Sequence, residues 1–178
     1  MICWRLQNCW KNKIFAMLYN SPVGYINIKI SEGFINEIIF VDDQDAKDSP
    51  DNSSASDKKI LKKCTTQLDE YFSGKRKIFE FPIKQDGTEF QQKVWSELIN
   101  IPYGKTISYL QLAQRLHNVK AIRAAASANG RNMLSIIVPC HRVIGADGSL
   151  TGYGGGLHRK KWLLDHENKY ANGVSLLF

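Results

Sequence analysis

The stretch SYLQLAQRLHNVKAIRAAASANG, residues 108–130, predicts two short helices separated by a tight turn. Ser108 and Gln111 have the spacing of a capping box, which indicates the start of the first helix. Asn118, in the short His-Asn connection, is the predicted cap of the second helix, and Gly130 is its predicted end. These proportions are typical of a helix-turn-helix unit.

The second of these helices carries unusually small side chains. Its small residues are Ala121, Ala124, Ala125, Ala126, Ser127 and Ala128. Arg123 is its one long internal side chain, and Lys120 and Arg131 lie near its ends. A thin helix allows close approach of either a neighbouring helix or a nucleic-acid groove. The basic residues favour the groove.

The composition is that of an ordinary globular protein, with 43% hydrophobic and 23% charged residues among 178. The length suggests one domain or two small ones. No apolar run approaches the ~20 residues that span a bilayer, and the N-terminus lacks the pattern of a signal peptide. We therefore expect a cytoplasmic protein with access to the nucleoid, or a nuclear one in a eukaryote, and no membrane partner.

The positive charge is concentrated in the second half of the chain. The net charge is +7, of which residues 1–86 contribute +1 and residues 87–178 contribute +6. A localised excess of this kind favours a polyanionic partner, because basic side chains neutralise phosphates and release counterions.

The four cysteines, at positions 3, 9, 64 and 140, form no CxxC pair. Their spacing fits neither a disulfide scaffold nor a zinc ribbon, so we expect reduced thiols. Cys3 and Cys9 could supply two metal ligands, but no matching pair follows. The sequence therefore predicts no metal and no cofactor.

The first half predicts a small antiparallel sheet followed by a helix. Residues 14–20, 25–31 and 34–41 are the predicted strands of a meander, in which Ile26, Ile28 and Ile30 alternate with polar residues. The acidic, Ser-rich residues 42–57 predict an exposed loop. A helix with one apolar face is then predicted, with Asp57 as its cap and Gly74 at its end.

The second half predicts mainly helices, which gives an α+β fold. Thr88 and Gln91 have capping-box spacing ahead of a helix that Pro102 stops. With the boundary near residues 85–87, we expect an N-terminal α/β domain at 1–86 and a C-terminal domain at 87–178.

The stretch IVPCHRVIG, residues 137–145, carries the candidate nucleophile. Residues 134–138 predict a strand that ends at Pro139, with Cys140 directly after it. A thiol becomes a strong nucleophile as its thiolate, and His141 is placed to accept the proton. Arg142 would add positive potential if it faces the thiol.

A histidine that acts as a base needs a carboxylate to orient it. The downstream candidates are Asp147, Asp165 and Glu167, of which Glu167 lies on a predicted helix. Between the thiol and that helix, a Gly-rich loop around Tyr153 could form a pocket wall.

Three nucleophilic chemistries can be compared. A cysteine phosphatase would need an arginine six positions after the cysteine, where this chain has Ala146. A thiol protease would leave the helix-turn-helix and the basic second half unexplained. A thiol that attacks a group on a nucleic-acid base accounts for the nucleophile, the groove-sized helix and the positive charge together.

Four motifs resemble the O6-alkylguanine-DNA alkyltransferases, also called methylated-DNA–protein-cysteine methyltransferases. They are IPYGKTISYLQLA (101–113), RAAASANGRN (123–132), PCHRVIG (139–145) and GYGGGLHRKKWLLDHE (152–167). The resemblance is continuous from about Thr88 to Glu167, whereas the first half matches only in length and element order. It implies a ribonuclease-H-like N-terminal domain, a winged-helix-like C-terminal domain, and single-turnover repair of alkylated guanine in duplex DNA by a monomer.

The resemblance also implies roles for individual residues. Cys140 would accept the alkyl group, His141 would activate it through water, and Glu167 would orient His141. Asn132 would be a hinge between the DNA-binding helix and the cysteine loop, and Tyr109 would turn the phosphate and donate to the flipped base.

Other residues would contact DNA or the extruded base. Arg123 would fill the gap left by the base, and Tyr153, Gly155 and Val143 would line its pocket. The expected minor-groove contacts come from the same helix and its end: Ala124, Ser127, Ala128 and Arg131.

Met133 and Ser135 depart from the family pattern, because many members have prolines there. We expect this loop to be less fixed as a result, with an effect on rate or stability. Two alternatives stay open: a lesion sensor without transfer, whose branch resembles PWHR where this chain has PCHR, and a winged-helix regulator with an incidental cysteine. Activity on O4-alkylthymine is a further expectation.

Overall fold

The computed structural model describes residues 14–42 and 53–172. Three antiparallel strands come first: β1 (Phe15–Ser21), β2 (Gly24–Ser31) and β3 (Phe34–Phe40), in that order across the sheet. Ile26, Ile28 and Ile30 are fully buried on one face. The predicted meander is confirmed. Residues 43–52 of the predicted acidic loop lie outside the described residues.

Helix α1 (Ala55–Phe72) packs its apolar face on this sheet. Its cap is Ser54 rather than Asp57, because the Ser54 hydroxyl accepts the Asp57 N–H while the Asp57 carboxylate accepts the Ser54 N–H. Residues 55–57 of the predicted loop are therefore helical. Gly74 follows the helix with a φ of 76°, as a terminating glycine should.

The helix-turn-helix is present, with one change at its turn. Helix α2 (Glu89–Ile99) and helix α3 (Tyr109–Arg115) both begin with the predicted capping boxes. His117, with a φ of 53°, reverses the chain, and a 3₁₀ turn (Val119–Ala121) precedes α4 (Ile122–Gly130). The Asn118 side chain makes no capping bond because this turn intervenes, so that prediction is wrong.

The segment before the cysteine is a turn and not the predicted strand. Leu134 forms a single parallel bridge with Ile38, and residues 135–137 then turn, with Ile136 at a φ of 73°. Such a φ is incompatible with extended backbone. Cys140 instead begins a 3₁₀ turn (Cys140–Arg142), which leads into β5 (Val143–Ile144), paired with β4 (Ile107–Ser108).

Helix α5 (Leu157–Asn172) closes the fold against both halves. A single hydrophobic cluster includes Ile38 and Tyr71 from the first half and Leu98, Cys140 and Leu163 from the second. Because this core is continuous, the division at residues 85–87 stays a prediction. Within the described ranges, no helix is long and apolar enough to cross a membrane.

Candidate active site and nucleic-acid interface

The Glu167 carboxylate lies at the centre of the site. Its side chain is completely buried on α5. His141 Nε2 lies 2.8 Å from Oε1, so the predicted pairing of these two residues is present. The Tyr71 hydroxyl, from α1, donates to the same oxygen at 2.9 Å. A helix of the N-terminal half therefore contributes directly to the site.

Arg142 pairs with the same carboxylate. Its Nε donates to Oε2 at 2.8 Å and its Nη2 to Oε1 at 2.9 Å, while Nη1 donates to the Ile101 carbonyl at 2.6 Å. The Gly104 N–H also donates to Oε2, at 3.1 Å. The three guanidinium nitrogens of Arg142 therefore bond to Glu167 and Ile101 rather than to the thiol.

The protonation states of this group follow from burial and charge. Burial alone would raise the pKa of Glu167, but His141 and Arg142 hold that pKa well below its usual range, so the carboxylate is ionised. Burial lowers the pKa of His141 although Glu167 acts against it, so the imidazole is neutral at pH 7. Because a carboxylate can only accept, the proton of His141 sits on Nε2.

The second ring nitrogen of His141 is then free to accept a proton. Its Nδ1 is buried and has no hydrogen-bond partner among the described residues. A neutral imidazole with one nitrogen anchored on a carboxylate and the other carrying a lone pair is the arrangement that a general base requires.

Cys140 is 5% exposed and is held by Asn132. The Asn132 side-chain amide donates to Sγ at 3.0 Å and to the Val138 carbonyl at 2.7 Å. Burial raises the pKa of the Cys140 thiol, whereas the Asn132 hydrogen bond and the charge of Lys160 act to lower it. The resting group is therefore a thiol, and its proton must leave when the sulfur attacks.

Lys160 is a member of the site that sequence reasoning missed. It lies in the charged run HRKK near the start of α5, and it is completely buried. Its Nζ donates to the carbonyls of Val143 at 2.7 Å and Thr151 at 2.8 Å. Burial lowers its pKa to about 8. Tyr71 and Gly104 were also missed, since their positions indicated a core residue and a turn.

A cavity of about 170 Å³ opens beside the thiol. Tyr153 and Gly155 line it, as predicted, together with Phe40 of β3. A Cβ at Gly155 would approach the Phe40 ring to 2.8 Å, so only glycine fits there. Val143 is not among the lining residues, because its side chain is completely buried behind the thiol turn and its carbonyl accepts from Lys160.

A wider cleft of about 490 Å³ lies next to this cavity, along α4. Tyr109 and Arg123 line it, and it shares Gly130 and residues 152–154 with the thiol cavity. The Asn129 amide donates to the Tyr109 hydroxyl at 3.4 Å. The cleft along the helix-turn-helix and the cavity at the thiol therefore adjoin at these shared residues.

The predicted DNA-contact residues divide into two groups. Arg123, Ala124, Ser127 and Arg131 are exposed. Ala128 is 3% exposed, and its carbonyl accepts the Trp95 indole N–H at 3.0 Å. Ala128 therefore seats α4 on α2, and its assignment to the DNA surface is wrong.

A helix-turn-helix beside a buried thiol, with a neutral histidine and an ionised carboxylate behind it, defines a nucleic-acid-binding protein with a nucleophilic cysteine. The family model for the DNA-binding domain of 6-O-methylguanine DNA methyltransferase matches residues 89–169. The model for the ribonuclease-like domain of the same family matches residues 14–85. The chain belongs to the 6-O-methylguanine DNA methyltransferase family, which confirms the resemblance.

Individual relatives agree over nearly the whole chain. A methylated-DNA–protein-cysteine methyltransferase of Methanosarcina mazei is 43% identical over 154 residues, which are 86% of this chain and 97% of the relative. The constitutive enzyme of that name from Bacillus subtilis is 43% identical over 76% of this chain and 83% of its own. The Mycobacterium tuberculosis O6-methylguanine methyltransferase has a TM-score of 0.75 at 34% identity, covering 91% of this chain and 97% of that one.

A related crystal structure contains DNA. The M. tuberculosis protein in complex with DNA has a TM-score of 0.75 at 36% identity, covering 89% of this chain and 94% of that chain. The fold that carries the thiol here is therefore the fold that binds DNA there.

Replacing Glu167 by Gln should destabilise the protein by about 3–5 kcal/mol at pH 7, since Arg142 would be left buried without its counter-charge. The folded-state pKa of Glu167 lies below the unfolded value of about 4.3, so the ionised carboxylate makes its full contribution to the free energy of unfolding above about pH 4.3. That contribution is lost progressively as the pH falls below about 4.3. The difference between the two proteins should therefore shrink towards pH 3, as measured by urea unfolding.

Glu89→Gln, at an exposed carboxylate on α2, is the matched control and should leave stability nearly unchanged. A Glu167→Gln penalty that stays constant from pH 7 to pH 3 would contradict the assigned charge state.

Proposed function

We propose that this protein repairs DNA by direct reversal, moving the alkyl group from O6 of guanine to Cys140 in a single irreversible step. The observation that carries the proposal is that the α4 cleft adjoins the cavity at Sγ, where the His141–Glu167 pair lies behind the thiol. The names of its relatives and the DNA complex of the M. tuberculosis protein support it.

The chemistry needs one bond to form and one to break. As His141 takes the thiol proton through water, Sγ attacks the alkyl carbon and forms a C–S bond, while the C–O6 bond breaks and its electron pair goes to the base. The guanine is protonated as it leaves. A thioether is not reversed by thiol exchange, so each molecule acts once.

Because the thiol is buried, the base must leave the DNA double helix to reach it. Cys140 is 5% exposed, which no atom of a stacked base could reach. A base in this pocket must be extruded, and an alkylated base is less well paired and easier to extrude. Arg123, exposed on α4 at the cleft, fills the gap from the minor-groove side.

Donors along the path stabilise the developing charge on the base. The Tyr109 hydroxyl lies in the cleft and accepts from Asn129, which leaves its own proton available for the base. The buried Tyr153 side chain lines the cavity and places its hydroxyl as a second donor. O4-alkylthymine presents the same alkyl–oxygen bond and is a second substrate.

The protein acts as a monomer on duplex DNA and needs no cofactor, since the nucleophile, its base and the donors all come from one chain. It works where DNA is found: the cytoplasm with access to the nucleoid, or the nucleus of a eukaryote. We further propose that residues 1–86 and 87–178 are separate domains.

Cys140→Ala should retain binding to a duplex that contains O6-methylguanine and lose all transfer. The assay incubates excess protein with a duplex carrying a labelled methyl group and maps the label by peptide. Cys64→Ala, which removes a buried thiol of the N-terminal half, is the control and should still take one label per molecule. Lesion binding by the unaltered protein without a label on the Cys140 peptide would indicate a sensor instead.

Arg123→Ala should slow repair of duplex DNA by about tenfold or more, because the extruded base can return to a gap that no side chain fills. Reaction with the free alkylated base should change little. Single-turnover rates on both substrates test this. Lys75→Ala, an exposed cation in the N-terminal half, should affect neither rate. Equal losses on duplex and free base would contradict the role of Arg123.

A further inference from the structure

Residues 131–139, which join α4 to Cys140, are hydrogen-bonded to the N-terminal half through their backbone groups. The Met133 N–H donates to the Gln85 side-chain oxygen at 2.7 Å. The Ile38 N–H donates to the Met133 carbonyl at 2.7 Å, and the Ser135 N–H donates to the Ile38 carbonyl at 2.8 Å. Strand β3 and the chain just before α2 therefore hold this segment on both sides.

This arrangement reverses the expectation that Met133 and Ser135 leave the loop less fixed. Proline has no backbone N–H. At position 133 it could not donate to Gln85, and at position 135 it could not donate to Ile38. In this chain, two hydrogen bonds that a proline could not make replace the stiffness that a proline would provide.

The hydrogen bonds of residues 131–139 also fix the position of Asn132, which lies within this segment. The Leu134 N–H donates to Asn132 Oδ1 at 3.0 Å, which orients the amide so that Nδ2 points at Cys140 Sγ, 3.0 Å away. Met133 lies between these two residues in the chain. A shift of the Met133 backbone therefore moves the amide that donates to the sulfur.

We propose that Gln85 is a positioning residue for the Cys140 thiol, acting through the Met133 backbone and the Asn132 amide. The role in alkyl transfer rests on the proposed function, whereas the effect on the thiol does not. Gln85 does not itself line the thiol cavity, so it acts through Met133, which does.

The surroundings of Gln85 suit this role. Two residues before it, Ile83 forms a parallel bridge with Ile35 of β3, and three residues after it Thr88 caps α2. The Gln85 carbonyl also accepts the Gln92 side-chain amide at 2.5 Å. The backbone before and after Gln85 is therefore held in place.

The amide of Gln85 can take only one orientation. The Met133 N–H needs an acceptor, so Oε1 must face it, although this leaves Nε2 buried without a partner among the described residues.

The hydrogen bond from Asn132 favours the thiolate of Cys140, so a displaced amide raises the pKa of the thiol and slows its reactions. Gln85→Ala removes the acceptor for the Met133 N–H. The reactivity of Cys140 should then fall about threefold to tenfold, the range that one net hydrogen bond supports. Gln85→Glu keeps an acceptor oxygen at the same reach and should restore most of the lost reactivity.

The readout is the pH dependence of alkylation of the Cys140 peptide by iodoacetamide, followed by mass spectrometry. Gln85→Ala should move the midpoint of this profile to higher pH. Gln67→Ala is the matched control, because the Gln67 side chain accepts the Glu80 N–H at 2.8 Å in the same manner but far from the cysteine segment. It should lower stability without moving the profile.

A double-mutant cycle with Met133→Pro tests the route of the effect. Proline removes the N–H that Gln85 accepts, so Gln85→Ala should cause no further loss in that background. Equal losses with and without Met133→Pro, or an unmoved profile in Gln85→Ala, would overturn the proposal. Because iodoacetamide reports on the thiol without DNA, a failure of methyl transfer by the unaltered protein would count against the proposed function alone.

Discussion

A single buried carboxylate organises the reaction centre. Glu167 accepts five hydrogen bonds, two of them from Arg142 and the others from His141, Tyr71 and the Gly104 N–H. An ionised carboxylate without such partners would be strongly destabilising in the interior, so these groups must assemble together or not at all. The same charge fixes the tautomer of His141, and thereby leaves one ring nitrogen able to take the thiol proton.

The N-terminal half takes part in the chemistry through three contacts. Tyr71 donates to the central carboxylate, Phe40 closes one wall of the cavity, and Gln85 holds the segment that carries Asn132. Tyr71 belongs to α1, Phe40 to the end of β3, and Gln85 to the connection that leads to α2. These contacts agree with the single hydrophobic core that spans both halves of the chain.

Short sequence patterns correctly predicted the features that depend on residues close together in the chain. The capping boxes before α2 and α3 and the alternating isoleucines of β2 were correct, because each depends on residues close in the chain. The strand before Cys140 was wrong, because Leu134 makes a single bridge to Ile38 and the Val138 N–H then donates to the Leu134 carbonyl, which closes a turn within the apolar run. Lys160 was missed because nothing in the charged run HRKK distinguishes a lysine whose acceptors are backbone carbonyls 9 and 17 residues away in the chain.

The central claim is that Glu167 holds His141 as a neutral base whose Nδ1 is free. Nitrogen-15 NMR of the imidazole, assigned by comparison with a His141→Gln variant, measures this directly at pH 7. The account predicts a neutral ring protonated on Nε2, which stays neutral below the free-histidine pKa of about 6.5. A ring that is doubly protonated at pH 7, or that carries its proton on Nδ1, would contradict it.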